Sequence, residues 1–305
     1  MKGYVAITDS DWFSFLRDHG PWPEVNFWQP SGGRAFRAIP PGAPVIFKLK
    51  APHNRIVGFG WFLRHVVSED WLAWATFDRA NGAPDFAVMR SLITRNRHAH
   101  SAQAGPARIG CLMLGEPVFF PPAGAIPEPA DWKPNIVSGK TYDLTTGEGA
   151  RIWQACRERA GLMVPSEAGD HGDRYGAPSV VLPRLGQGSF RMAVTEAYGG
   201  ACAVTNEHSL PALEAAHIRP YGDGGEHATS NGLLMRSDLH RLFDRGYLTI
   251  TPQHVLRVSR ALRADYSNGA TYYPMDGHGI HIPASPADRP DPALLEWHGD
   301  EVFRG

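Results

Sequence analysis

Cysteine is scarce in this sequence. Cys111, Cys156 and Cys202 are scattered through 305 positions, an odd number too widely spaced for the paired framework that staples small secreted domains. They read as buried or free thiols in a reducing cytoplasm. Long apolar runs are also missing. No stretch approaches the roughly 18 residues a membrane span needs, so no membrane partner is expected. The segment from Met1 to Asp11 has one lysine and no apolar run, which does not read as a secretory leader. The sequence has no internal repeat, low-complexity tract or coiled-coil pattern. A basic surplus is absent as well: the formal net charge is −1, which counts against a nucleic-acid binder if the charge is evenly spread.

It is not evenly spread. Residues 31–110 hold eleven Lys and Arg against four acids, a local surplus of seven. Residues 217–263 hold seven arginines against Asp223, Glu226, Asp238 and Asp244, a surplus of three. Phosphate binding answers to the local field and not to the total. On composition alone, scattered arginines on a solvated surface are the favoured reading.

The length suits two cores better than one. Asp9-Ser10-Asp11 ahead of Trp12, Phe13 and Leu16 predicts a capped first helix. Val45–Lys50 and Ile56–Phe62 are strand candidates around the turn-like Pro52-His53-Asn54, and Ile109–Leu114 and Val118–Phe120 predict two more. Packing signals fade from Pro121 to about Pro134. Residues 148–159 predict a connecting helix with Ile152, Trp153 and Cys156 on one face, and 165–178 an exposed loop. A second domain begins near Val180. The expected division is therefore 1–145, a linker with a connecting helix over 146–179, and 180–305.

Residues 201–250 carry the chemical signal. Leu213 to Ile218 is a short strand candidate that ends in a histidine, His217. Pro220 and the glycines up to Gly225 break regular structure, and Asn231 closes the loop. Ser237-Asp238 predicts an N-cap for a helix through Asp244, with Gly246 as its stop. The pattern is strand, loop, strand, helix. His240 and Asp244, four apart, share one helical face. A divalent ion can neutralise charge developing on a phosphodiester, and a neutral imidazole can deprotonate the attacking water. His217 is therefore the candidate general base, Asn231 the loop-orienting residue, and His240 with Asp244 the candidate metal ligands. Taken singly, a strand-end histidine, a His/Asp pair on a helix and an Asn-Gly turn are all commonly structural; their order and spacing carry the signal.

These residues resemble a family. Residues 184–191, Ala215-Ala216-His217-Ile218-Arg219-Pro220, Asn231-Gly232-Leu233-Leu234, Asp238–Asp244 and Leu295-Glu296-Trp297-His298 look like bacterial HNH endonucleases over roughly residues 180–300. The resemblance implies a ββα-metal fold, DNA hydrolysis, His217, Asn231 and His240 as signature residues, and a divalent cation such as Mg²⁺, Mn²⁺ or another transition metal. Two departures stand out. Many such enzymes place a metal-binding Asp or His just before the base, where this chain has Ala216; Glu214 is the candidate third ligand, directly or through water. Many also carry paired CxxC motifs for a structural zinc. Cys202 retains one such cysteine only, so no zinc ribbon is expected and Cys202 reads as core.

The first domain reads as target selector. Val25–Pro30, Phe36–Gly42, Val45–Leu49 and Ile56–Gly60 resemble the EVE branch of the PUA-like fold, a small β-barrel that reads nucleic acid and that is paired in some proteins with HNH domains restricting DNA with modified cytosine. The implied architecture is α+β: an N-terminal PUA-like (EVE-type) barrel with helices and a C-terminal ββα-metal domain. A modified base is best inspected after extrusion between aromatic walls. Trp28 and Trp61 are the preferred pair, although most aromatics in a small barrel are core; Arg34, Arg37, Lys48 and Lys50 are candidates for flanking phosphates, and Arg219 and Arg245 for DNA contacts beside the nuclease site. The expectation is a type IV-like restriction endonuclease for double-stranded DNA with 5-methyl- or 5-hydroxymethylcytosine, a phage-defence activity. A homodimer fits because one site cuts one strand. Two alternatives stay open: a nuclease reading another mark, such as phosphorothioate, or a sequence, and a modified-DNA-binding protein whose HNH domain is inactive.

Overall fold

The computed structural model describes residues 1–32, 36–97, 107–161 and 186–305. Arg34, the expected loop at 165–178 and the expected domain start near Val180 lie outside the described residues. The chain divides into two compact units, Met1–Pro183 and Arg184–Gly305.

In the first unit, β1 (Lys2–Thr8), β2 (Glu24–Gln29), β3 (Pro44–Leu49), β4 (Arg55–Glu69), β5 (Arg108–Phe119), β6 (Ile126–Pro127) and β7 (Gly139–Asp143) form one sheet. Their order is β2-β5-β4-β3-β1-β7, with β6 beside the start of β4. Only β1 and β3 are parallel; the other neighbours are antiparallel. Among the described residues the hydrogen-bonded path runs from β2 to β7, and closure into the barrel that the EVE resemblance implies is not shown. The two strands expected over 109–120 are one. Glu116 adopts a positive φ of 45°, and Glu116 and Pro117 together stand opposite Gly60 alone, a bulge that carries the pairing past the proline.

Helices cover this sheet, so its strands are buried almost continuously instead of alternating. Helix α1 (Ser10–His19) is capped by the Asp9 carboxylate, which accepts from the Asp11 amide. It sets Trp12 edge-on against Phe27, Phe47 and Phe119. Helices α2 (Asp70–Phe77) and α3 (Phe86–Asn96) follow β4. Helix α4 (Gly147–Gly161) buries the three residues expected on its inner face, Ile152, Trp153 and Cys156, in one cluster with Ile46, Ile56, Phe59 and Phe120. The expected connecting helix is thus integral to the first unit's core, because its apolar face finds a partner there.

The second unit is built around a hairpin and a helix. Strands β8 (Leu213–His217) and β9 (Gly232–Arg236) pair antiparallel, with His217 opposite Gly232. Helix α5 (Gln187–Ala197) packs on both strands, and α6 (Ser237–Asp244) follows β9 directly. The anticipated cap on α6 is different: the N-cap position is Arg236, with no side-chain cap, because Asp238 is held by the Arg236 guanidinium at 2.6 Å. Strands β10 (Leu248–Ile250) and β11 (Leu256–Val258) and helices α7 (Ala261–Tyr266) and α8 (Pro292–Glu301) complete the unit. Its core joins Phe190, Leu213, Ala216, Leu233, Leu239, Phe243 and Leu295. Among the described residues no helix is long and apolar enough to cross a membrane.

Candidate active site

The chain between β8 and β9 leaves the hairpin and must return opposite His217, and Asn231 enforces that return. Its side chain is 1% exposed. The Oδ1 atom accepts from the Arg219 amide at 2.9 Å, and Nδ2 donates to the carbonyls of Arg219 and Glu226 at 2.9 and 2.8 Å. One buried amide thus uses three of its four hydrogen-bonding sites to clasp both arms of the loop. Gly225 makes the clasp possible: a Cβ there would stand 1.9 Å from the Arg219 carbonyl and 2.9 Å from Asn231 Nδ2.

The clasp steadies the end of β8, where His217 stands half-buried. Its imidazole stacks on Phe190 of α5, with ring centroids 3.9 Å apart and planes 11° off parallel. Its Nε2 is 2.9 Å from Nδ1 of His227, whose own ring stacks on Tyr221. Burial, and then the nearby His227 and His240 rings, push the His217 imidazole down to about 4. The ring is therefore neutral at physiological pH, the state in which it can accept a proton.

Helix α6 supplies the opposite side. Leu239 and Phe243, four apart, are buried in the core, which turns His240 and Asp244 together toward the cavity. His240 Nε2 lies 3.3 Å from Asp244 Oδ2, and Glu214 Oε2 on β8 meets His240 Nδ1 at 2.7 Å. His217, His240 and Asp244 line a single cavity of about 320 Å³, together with Tyr221, Asp223 and His298. Partial burial raises the Asp244 carboxyl above the ordinary aspartate range; His240 opposes that shift and the Glu214 charge reinforces it.

Among the described residues no group of three or more His, Cys, Asp or Glu side chains is arranged to hold a metal ion. The donor chemistry nevertheless fits a divalent cation held by two side chains. A ring nitrogen and a carboxylate oxygen sit side by side at the cavity, at the C-terminal end of a helix whose dipole favours positive charge. Glu214 engages the ring instead of facing the cavity. Its carboxylate accepts the Nδ1 proton of His240, and such a partner fixes Nε2 as the ligating atom. Mg²⁺ commonly takes one or two carboxylates and completes its shell with water and phosphate. Ala216, at the position where a third ligand was sought, is wholly buried in the core.

The other candidate residues are placed as follows. Arg219 lays its guanidinium over Trp297 at 5.1 Å, and its Nε is buried without a hydrogen-bond partner among the described residues. Arg245 is exposed at the C-cap of α6, next to Asp244. Trp28 and Trp61 are not brought together as walls of one pocket. Trp28 is 7% exposed, and its Nε1 donates to the Asn81 carbonyl at 3.0 Å. Trp61 packs edge-on against Phe59 and Trp153. Lys48 is buried and paired with Glu128 at 3.0 Å, and Lys50 pairs with Asp9 at 3.3 Å, so neither is a free phosphate donor. Cys202 is buried in the core. Sequence reasoning did not single out Phe190, Tyr221 or His227. Fourteen histidines offer no reason to choose His227; its only signal is its position inside the loop opened by His217.

The HNH endonuclease family profile matches residues 202–251, the segment holding β8, the clasped loop, β9 and α6. Among curated proteins none matches. A solved structure, the modification-dependent TagI restriction endonuclease, is similar over 92% of this chain and 75% of its own, at 16% identity and a TM-score of 0.26, a likeness too slight to carry an argument.

Proposed function

We propose that the protein is a modification-dependent DNA endonuclease whose C-terminal unit hydrolyses phosphodiester bonds. The observation that carries the nuclease reading is the convergence of His217, His240 and Asp244 on one cavity, inside a segment that matches the HNH endonuclease family. As the oxygen of a water molecule forms its bond to phosphorus, His217 takes the water's proton and the bond to the leaving oxygen breaks. Phe190 and His227 hold the imidazole in place, and the Asn231 clasp keeps the strand end still. His240 and Asp244 would hold a divalent cation, which when bound supplies charge neutralisation at the phosphate. Arg219, two residues after His217, and Arg245, next to Asp244, are the proposed contacts to backbone phosphates.

For the first unit we propose a role in reading a modified cytosine, supported by the resemblance of its sequence to EVE-type readers. The Trp28–Trp61 pair gives way to another location. A cavity of about 590 Å³ is lined by Phe36, Phe62, His65, Lys2 and Arg37, which combines aromatic and basic side chains. An extruded base needs both kinds of contact. We read the assembly as a homodimer on double-stranded DNA, since a double-strand break needs two hydrolytic events. We read its compartment as the cytoplasm, supported by three free, buried cysteines.

Purified full-length chain with Mg²⁺ or Mn²⁺ should degrade DNA carrying 5-methyl- or 5-hydroxymethylcytosine and spare unmodified DNA. Equal cutting of both would remove the modified-base reading and leave the nuclease. Phage genomes that differ in their cytosine modification would identify the mark. Tight binding without cleavage under every divalent ion would instead make the chain a binding protein.

A further inference from the structure

We propose that His227 is a positioning residue that sets the tautomer of His217, so that Nδ1 of His217 is the atom that takes the proton from water. The proposal deepens the nuclease reading and rests on it for its catalytic meaning. A neutral imidazole has one N–H and one lone pair, and a hydrogen bond between two rings needs one of each. His217 Nε2 and His227 Nδ1 are 2.9 Å apart, so one donates and the other accepts. If His227 donated, His217 Nε2 would spend its lone pair on that bond and Nδ1 would carry the proton, leaving no basic atom. Base chemistry therefore requires His217 Nε2–H to donate to His227 Nδ1. That leaves the Nδ1 lone pair of His217 for the water, since among the described residues the ring's one hydrogen bond is the Nε2 contact with His227.

The surroundings suit this division of labour. Phe190 lies against the face of His217 at 3.9 Å, which fixes the ring plane but offers nothing to either nitrogen. Tyr221 stacks on His227 at 5.2 Å with planes 11° apart, and the two imidazoles meet nearly edge to face at 65°. Each ring is thus held by an aromatic on its face and by the other ring at its edge. The position of His227 follows from the loop: the Asn231 amide grips the carbonyl of Glu226, the residue before it. When water gives its proton to His217 Nδ1, the imidazolium formed keeps its Nε2–H on His227, so the pair stays bonded through the step.

The test is the nitrogen spectrum of the full chain labelled with ¹⁵N-histidine, with His217→Gln identifying the His217 signals. We expect His217 to carry its proton on Nε2 in the unaltered protein and to populate both tautomers in His227→Ala. The same variant should lose about 10- to 100-fold in kcat on whichever DNA the unaltered protein cuts, with KM little changed. In His227→Asn, whose amide oxygen can accept, the Nε2–H tautomer and most of the rate should return. A proton on Nδ1 in the unaltered protein, or an unchanged tautomer in His227→Ala, would overturn the proposal. The spectrum needs no substrate. A chain that cuts no DNA yet shows this tautomer dependence would sink the nuclease reading alone, whereas full cleavage by His227→Ala would sink the role of His227 alone.

Discussion

Histidines occupy three different chemical positions around the cavity. His217 is neutral through burial, stacked and hydrogen-bonded so that one nitrogen remains basic. His240 has a carboxylate behind it and another beside it, the environment of a ligand and not of a base. His298 is 2% exposed, between the Thr249 hydroxyl at 2.9 Å and the Phe243 carbonyl at 3.2 Å, and serves packing. Replacing His217 by Ala should lower cleavage about 100- to 10,000-fold, the usual scale for losing a general base, with DNA affinity unchanged in a filter-binding assay. Glu214→Ala should weaken Mn²⁺ binding about 10- to 100-fold by isothermal titration, while Glu214→Gln, still able to accept from His240, should retain most of it. At this scale the sequence was informative about His217, Asn231, His240 and Asp244, because their spacing tied them to one strand, one loop and one helix. Glu214 was legible as a neighbour but not in its role, since a two-residue strand period does not reveal which atom of a facing ring a carboxylate will meet.

The loop between β8 and β9 is the element on which the site's geometry turns. It has little regular structure beyond short 3₁₀ turns, and its shape depends on one buried amide and one close backbone approach. Gly225→Ala would drive a methyl into the Arg219 carbonyl, and opening the clasp strands buried polar groups worth about 1–3 kcal/mol each. We expect this variant to lose at least about tenfold in cleavage and to melt several degrees lower by circular dichroism, whereas Gly222→Ala, with nothing within 4 Å of the added carbon, should do neither. Pro220, the glycines and Asn231 marked this loop in the sequence. His227 stayed hidden because its importance lies in a contact across the loop. The packing of the two candidate indoles was hidden for the opposite reason. Trp28 and Trp61 adjoin polar or glycine-rich turns in sequence, yet the helices covering the sheet draw both indoles into packing, and aromatic content cannot tell a core ring from a stacking platform.

Across the whole molecule, charge and burial set the conditions under which both units work. The His298 imidazole is pushed down to about 4 by burial, with the Phe243 carbonyl only partly opposing. In the unfolded chain it would protonate near its ordinary value of about 6.5. A histidine with a depressed folded value keeps its full stabilising contribution above about pH 6.5 and loses it as pH falls toward 4, because there the unfolded chain binds a proton that the folded chain refuses. The loss amounts to about 3 kcal/mol across that window. Urea denaturation at pH 7.5 and pH 4.5 should show it, and His298→Gln should remove this share while leaving the like one from His217, whose imidazole is also pushed down to about 4. The mixed α+β class was readable from the strand and helix patterns, and the segment that matches the HNH profile from its motif order and its resemblance to that family. Strand order in the first unit was not, since strand candidates do not reveal their partners: the single strand β4 pairs with β3, β5 and β6.

The most direct test of a single hydrolytic centre is the Mn²⁺-dependent cleavage rate of cytosine-modified duplex DNA by the unaltered chain, His217→Ala and Asp244→Ala, measured side by side. We expect both variants to fall at least about 100-fold while still binding the duplex. Cleavage by both at the rate of the unaltered chain would mean that the cavity between β8 and α6 is not where the bond is broken.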